Sequence, residues 1–548
     1  LDTLIHVANG LKENCPNDER STVFNLPSFI AKMKENNWLG SKTGQGFYKK
    51  TINESGKKEI LELDLKTFEY KSTSKTKFET IGKARGIDNL KKRTNVLFNG
   101  NDKAGDFYRR VFAGLLSYAS HRIPEISNEI YRLDEAMKAG FGWELGPFEV
   151  IDAIGFKYFV DRCLADNIKL PEWMVLMRNN NHDYIYKYTN GEKSVFDKNK
   201  ANYSIISQNN KSINFVDLKS NKRLIDKHWS ASLYDLGDGV AAVNLHSVLK
   251  PELNPIDGSM MQVFAKSLDW VSENKYKGLI ISGDGTNFCA GANLSLILQA
   301  AEKKDFESLE SFINTIQQIF QAVRFSKFPV VAAPYGLVLG GGMEIIGSCD
   351  YRVAAAESYI GLVEVGVGLI PGAGGNLRML SNLSKKIKTG VTGTLPLVQK
   401  AFETIGFAKV ATSAKQAMSY GYLVDNDKII INRDHIMFHA KNLISDSSDS
   451  YKAPEVESFK LPGSAGRLAI AVQAKSMVKA GKISEHDALI GNKLAYVLTG
   501  GDKGGMFSAV NEQYLLDIER EAFLSLCGEP KTLDRIRYML TKGKPLRN

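Results

Sequence analysis

The chain has 548 residues, 43% hydrophobic and 24% charged, a globular composition that excludes a disordered or fibrous protein and predicts several domains. Lys and Arg outnumber Asp and Glu, 71 against 61. The excess draws a polyanion such as a phosphorylated ligand, or serves solubility, and no basic arm, zinc-finger spacing or RNP-type motif supports nucleic acid.

In chain order, residues 1–50 predict helices and then a glycine-rich segment, Trp38-Leu39-Gly40-Ser41-Lys42-Thr43-Gly44-Gln45-Gly46-Phe47-Tyr48. Residues 51–103 are polar and lysine-rich with little periodicity, which predicts a linker. Helical spacing returns over residues 104–165, with Val111, Leu115, Leu116 and Ala119 on one face. Residues 170–225 predict irregular strands and loops. From Ser232 the pattern changes. Apolar runs at Val240–Leu245, Gly278–Ser282, Val330–Ala333 and Tyr351–Ala355 alternate with helical segments such as Phe306–Val323, which predicts α/β architecture. Ser445–Ser450 reads as a second linker before a helical remainder. The five cysteines are scattered without a Cys-x-x-Cys pair, and no apolar run reaches the roughly 18–20 residues of a membrane span, so a cytoplasmic location is expected.

Three segments of the α/β region carry chemistry. They are Phe288-Cys289-Ala290-Gly291-Ala292-Asn293-Leu294, Leu339-Gly340-Gly341-Gly342-Met343-Glu344, and Gly361-Leu362-Val363-Glu364 leading to Pro371-Gly372-Ala373-Gly374-Gly375. Three glycines before an apolar helical run leave backbone N–H groups bare at a helix N-terminus, where negative charge is favoured. An Ala-Gly-Ala turn after a strand offers a second bare N–H. Two such donors aimed at one point form an oxyanion hole. Glu344 and Glu364 lie in apolar surroundings, where two carboxyl groups can divide general-acid and general-base work.

In this order and spacing the segments closely resemble the crotonase (enoyl-CoA hydratase/isomerase) superfamily over residues 230–430, including Thr412–Ala417 and Gly421–Val424. The resemblance implies Glu344 and Glu364 as catalytic residues and Ala292 and Gly341 as oxyanion-hole donors. It implies Ala290, Gly291, Asn293, Leu294, Gly340 and Gly372 as substrate-binding positions, and no metal. Lys250 is the candidate contact for CoA phosphates, against the alternative of a solvated loop lysine. The implied reaction is hydration of a trans-2-enoyl-CoA. Glu344 takes a proton from water and Glu364 protonates the α-carbon, with exchange of these roles left open.

Phe141-Gly142-Trp143-Glu144-Leu145-Gly146-Pro147-Phe148-Glu149 and the Gly40–Tyr48 segment resemble the C-terminal helical domain of 3-hydroxyacyl-CoA dehydrogenases, present as tandem copies. The whole order is similar to bacterial bifunctional 3-hydroxyacyl-CoA dehydrogenase/enoyl-CoA hydratases of fatty-acid β-oxidation. The expected fold is multidomain, α plus α/β. A partial all-helical dehydrogenase-type domain covers residues 1–50, with a linker at 51–103. A second such domain with its connection spans 104–225, a crotonase ββα spiral 226–440, and a helical C-terminal region 441–548. The chain starts at Leu1, so an N-terminal NAD-binding domain is expected outside it. The hydratase needs no cofactor beyond the CoA of its substrate, and NAD is assigned to the dehydrogenase half, with no site visible here. Expected partners are an acyl-CoA thioester, a 3-ketoacyl-CoA thiolase and further copies of the chain. The alternatives are an enoyl-CoA isomerase and a non-catalytic acyl-CoA-binding scaffold for a thiolase.

Overall fold

The computed structural model describes residues 1–53, 55–73, 76–189, 192–206, 211–387, 393–505 and 507–548. The chain divides into two compact units, Leu1–Lys187 with Val195–Ser204, and Tyr188–Ser194 with Ile205–Asn548. The expected linker at 51–103 and crotonase domain at 226–440 each contain a few residues outside the described ones.

The first unit is not all-helical, contrary to expectation. Residues of the expected linker form an antiparallel sheet of Tyr48–Ile52, Lys58–Leu63 and Tyr70–Ser72, followed by helices Glu79–Arg85 and Leu90–Phe98. The sheet is thin and half-exposed. Ile52 and Ile60 are 68% and 53% exposed, so the strands lack the apolar–polar alternation that would betray them. Asn95 Nδ2 donates to the carbonyls of Ala153 and Ile154, tying this segment to the helices that follow. Residues 170–225, expected to be strands and loops, also hold helices Glu172–Asn179 and Phe215–Ser220.

The core of the first unit packs Leu116, Phe148, Ile151, Phe156, Phe159 and Met174, all essentially buried. The two glycine-aromatic segments adopt different structures. Gly40–Tyr48 runs into a strand. In the other, Pro147 opens the helix Pro147–Ile154, whose Phe148 and Glu149 N–H groups donate to Asp134. A Cβ on Gly146 would lie 2.4 Å from Asp134, so only glycine fits beside this capping carboxylate.

The second unit is built on a seven-stranded sheet, in the order Lys428–Ile430, Tyr351–Ala355, Val330–Ala332, Gly278–Gly283, Val240–Leu245, Ala231–Asp235, Leu224–Lys227. The first five strands are parallel and the last two antiparallel. Val240–Leu245 and most of Gly278–Gly283 are fully buried, as the continuous apolar runs require of interior parallel strands. The helix Phe306–Arg324 buries Leu309, Ile313, Ile316, Phe320 and Val323 along one face.

A smaller parallel pair positions the site. Gly336–Leu339 pairs with Ser358–Gly361 in register from Gly336 opposite Ser358 to Leu339 opposite Gly361. Cys289 adds a parallel bridge to Val338. Three chain segments therefore run side by side and end together, carrying Ala290–Asn293, Gly340–Glu344 and Glu364 to one place.

The expected linker Ser445–Ser450 is instead the end of helix Ile436–Ser447 and a 3-10 turn, Ser448–Ser450. The expected C-terminal region is not a separate layer. Leu515, Phe523 and Ile536 share one core with Val365, Leu369 and the sheet.

Candidate active site

Gly340, at φ +55, turns the chain from the strand Gly336–Leu339 into the buried helix Gly341–Ser348. A Cβ on Gly342 would lie 2.3 Å from the carbonyl oxygen of Cys289, so glycine lets this helix start against the Ala290–Asn293 turn. That turn is held by Ala290 N–H to Leu253 O at 2.7 Å, Ile256 N–H to Gly291 O at 2.9 Å and Asn293 N–H to Ile256 O at 3.2 Å. The Ala292 and Gly341 N–H groups have no partner among the described residues. Ala292 N lies 3.6 Å from where a Gly341 Cβ would stand. Two bare donors thus lie side by side, the arrangement an oxyanion needs.

Glu344 is one turn into the helix and 5% exposed. Its Oε1 accepts from Ala373 N at 2.8 Å and Gly375 N at 2.9 Å. Burial pushes its carboxyl up to about 7, against the lowering effect of those N–H groups. Glu364 opens the 3-10 turn Glu364–Val367. Both its carboxyl oxygens are buried with no hydrogen-bond partner among the described residues. Its Oε1 stands 3.2 Å from where a Cβ on Gly340 would lie. Burial first, and then the neighbouring charge of Glu344, hold this carboxyl well above the usual range.

A third buried carboxyl group was not foreseen from the sequence. Glu519, 0% exposed, belongs to the helix Glu512–Cys527. It accepts from Gly374 N at 2.5 Å and Asn376 N at 3.1 Å. Four successive N–H groups at the start of the helix Gly375–Lys386 are therefore divided alternately, Ala373 and Gly375 to Glu344, Gly374 and Asn376 to Glu519. Burial, and then Glu344, raise Glu519 to about 8. Gln317 is a second residue missed. Its Nε2 donates to the carbonyls of Gly372 and Leu516, and its Oε1 accepts from Arg520 at 2.6 Å, stitching the turn to the Glu519 helix. A polar residue within the apolar stripe of Phe306–Arg324 is the signal that could have found it.

The other expected positions fall as follows. Gly372 lies on this turn, where a Cβ would meet the Phe523 ring at 2.8 Å. Asn293 caps the helix Leu294–Glu302 by accepting from Ser295 N, and Leu294 is its first residue. Lys250 is exposed on the loop whose Leu253 carbonyl holds Ala290, and its backbone N–H donates to Ser247 Oγ. A cavity of about 790 Å³ opens one residue beyond Glu364, with Val365, Phe402, Ile470, Met477 and Leu494 on its apolar side.

The family "Enoyl-CoA hydratase/isomerase" matches residues 235–401, which hold both glutamates and both bare donors. A protein of Bacillus subtilis named "Probable 3-hydroxyacyl-CoA dehydrogenase" is 40% identical over 549 residues, covering 100% of this chain and 67% of that one. This chain belongs to the same family. The fatty acid oxidation complex subunit alpha of Aliivibrio fischeri is 33% identical over 158 residues, 28% of this chain and 23% of that one. An enoyl-CoA hydratase structure from Bacillus halodurans covers 56% of this chain and 99% of its own, at 15% identity and a TM-score of 0.39. The chain spans 64–67% of the length of the curated relatives that it matches from end to end. No helix among the described residues is long and apolar enough to cross a membrane.

Proposed function

We propose that the second unit hydrates trans-2-enoyl-CoA to 3-hydroxyacyl-CoA, as one step of fatty-acid β-oxidation. The observation that carries this reading is the placement of two buried glutamates beside two bare N–H groups. In the proposed reaction the thioester oxygen sits between Ala292 N–H and Gly341 N–H. Water adds to the β-carbon and loses a proton to Glu344. The double-bond electrons move onto the thioester oxygen, where the two donors stabilise the charge. Glu364 then gives its proton to the α-carbon as the carbonyl re-forms. Glu344 finishes protonated and Glu364 ionised, and proton exchange resets the pair.

The unequal environments support this division of roles. Glu344 receives two N–H bonds, which favour its ionised form. The Glu364 oxygens make no hydrogen bond among the described residues, and only the adjacent N–H groups of Val363 and Glu364 itself favour its charge. An ionised carboxylate left buried without donors is far costlier than a neutral acid, so Glu364 is the proton donor and Glu344 the base. Ala290, Gly291, Asn293, Leu294, Gly340 and Gly372 shape the bound thioester, and Lys250 meets the CoA phosphates. The cavity past Val365 lies in the size range of small-molecule sites and receives the acyl chain.

Dehydrogenase relatives imply NAD use in the family. The glycine-rich turn at 372–376 does not fit a dinucleotide, because the N–H groups that a pyrophosphate needs are bonded to Glu344 and Glu519. We assign no NAD step to it. The first unit is read as a dehydrogenase-type body, and a thiolase partner and a homo-oligomer belong to the same proposal. The test is loss of enoyl-thioester absorbance with a trans-2-enoyl-CoA, alongside a 3-enoyl-CoA to separate hydratase from isomerase. Full hydration by either Glu344→Gln or Glu364→Gln would sink the mechanism.

A further inference from the structure

We propose that Glu519 is a positioning residue of this site, holding the 373–376 turn in place for Glu344 and keeping the proton on Glu364 through its negative charge. The inference rests on the hydratase reading above. It starts from the alternation of N–H groups. A helix start offers about four unbonded donors, and here a single stretch of backbone serves two carboxyl groups from different elements. Moving Glu519 moves Gly374 and Asn376, and with them the Ala373 and Gly375 donors that orient Glu344. Gly372 is fixed from the same side by Gln317 and by the Phe523 ring, one helical turn from Glu519.

Both Glu519 oxygens accept from backbone N–H, which suits a carboxylate rather than an acid. Burial opposes ionisation, so the full charge develops above about pH 8. That is where a general acid is at risk of losing its proton. Among the described residues, the groups near Glu364 come from four places. Glu344 comes from the helix Gly341–Ser348, Glu519 from Glu512–Cys527, and Tyr422 has its hydroxyl donating to Lys409 O and accepting from Leu362 N. From the helix Pro530–Lys542, packed against the Glu364–Val367 turn, come Thr532, bonded to Gly368 O and His486, and Arg535, paired with Asp487. Glu519 is thus a second negative neighbour of Glu364 beside Glu344, and both charges raise it. Removing the negative charge at 519 makes ionisation of Glu364 easier, so the acid form is lost at lower pH.

The experiment compares the wild-type chain with Glu519→Gln and Glu519→Asp. In Glu519→Gln the amide places an N–H against one backbone donor and carries no charge. Turnover is expected to fall at least about tenfold with KM little changed, and the alkaline limb of the kcat–pH profile to move to lower pH by about half a unit or more. Glu519→Asp keeps the charge but is one methylene short of both donors. It is expected to lose turnover with its alkaline limb close to wild type. An unmoved limb in Glu519→Gln, or wild-type turnover in Glu519→Asp, overturns the proposal. Infrared titration of the buried carboxyl C=O stretch, with the Glu364 band identified by its loss in Glu364→Gln, reads the same shift without turnover. A shifted titration in a chain that hydrates nothing defeats the hydratase reading alone. An unshifted titration in an active chain defeats only the role of Glu519. If Gln at 519 prevents folding, an alkaline limb or Glu364 titration in the Asp variant displaced to lower pH overturns the charge effect.

Discussion

Ala373 and Gly375 donate to Glu344, whereas the Glu364 oxygens make no hydrogen bond among the described residues and have only the N–H groups of Val363 and Glu364 itself nearby. A hydrogen bond to a charged group is worth about 1.5–3 kcal/mol, enough to separate two glutamates that the sequence leaves equivalent. Replacing either by Gln removes a carboxyl group to which the proposed reaction assigns proton transfer, with little change of shape. Hydration is therefore expected to fall about 10²–10⁴-fold in Glu344→Gln and in Glu364→Gln, measured as kcat on a 2-enoyl-CoA. Gly341→Ala tests the hole. Its Cβ would stand 2.6 Å from Ile256 Cδ1, displacing one donor, and a loss of about 10²–10³ in rate is expected. Wild-type turnover in that variant would remove Gly341 from the mechanism. These residues were legible in the sequence because each belongs to a short local segment whose glycines have steric reasons to be glycine. Glu519 was not. In Asp517-Ile518-Glu519-Arg520-Glu521 it is one acid in a charged helical run, and its burial is decided by a turn 145 residues earlier.

Elements bring the local segments together. The strands Gly336–Leu339 and Ser358–Gly361 are short, yet their parallel register delivers Gly340 and Glu364 to the same end. Interior strands and the amphipathic helix Phe306–Arg324 were readable from apolar runs and spacing. The half-exposed strands at 48–72 were not, since their isoleucines face water. Strand Tyr351–Ala355 is pinned by a buried ion pair, with Arg352 Nε 3.0 Å from Asp427 Oδ2. Asp427 also accepts from the Arg352 and Val424 N–H groups. Asp427→Ala leaves a buried guanidinium unpaired and is expected to cost about 3–5 kcal/mol, read from the urea midpoint. The cavity past Val365 gives a second test at this scale. Phe402→Trp adds bulk to its apolar wall, so kcat/KM is expected to fall for long-chain enoyl-CoA and to hold for short-chain substrates. Equal losses for both would remove the cavity from the acyl path.

Across the whole molecule several buried carboxyl groups hold their protons to unusually high pH. Burial sets Asp134 near 6 and Asp152 near 7 in the first unit, and Glu344 near 7 and Glu519 near 8 in the second. In each case the folded chain binds a proton more tightly than the unfolded chain. The stabilisation is therefore complete below about pH 4 and is lost as pH rises through 6–8. The melting temperature is expected to fall between about pH 5 and 9, and Glu519→Gln to flatten that slope for the second unit. A melting temperature rising steadily over that range would contradict it.

The alternating grip on the Gly375 helix also has a meaning in time. Its donors stand near residue 375, whereas one of the two carboxyl groups that they serve arrives only with residue 519. Contacts so far apart in sequence form late. During synthesis the sheet and the first two glutamates are already made while the third is still to come. In refolding from denaturant, far-UV circular dichroism is expected to recover before hydratase turnover, with the delay set by docking of the final helices. On the proposed role of Glu519, competence for chemistry waits for a helix made 145 residues after the turn that it holds.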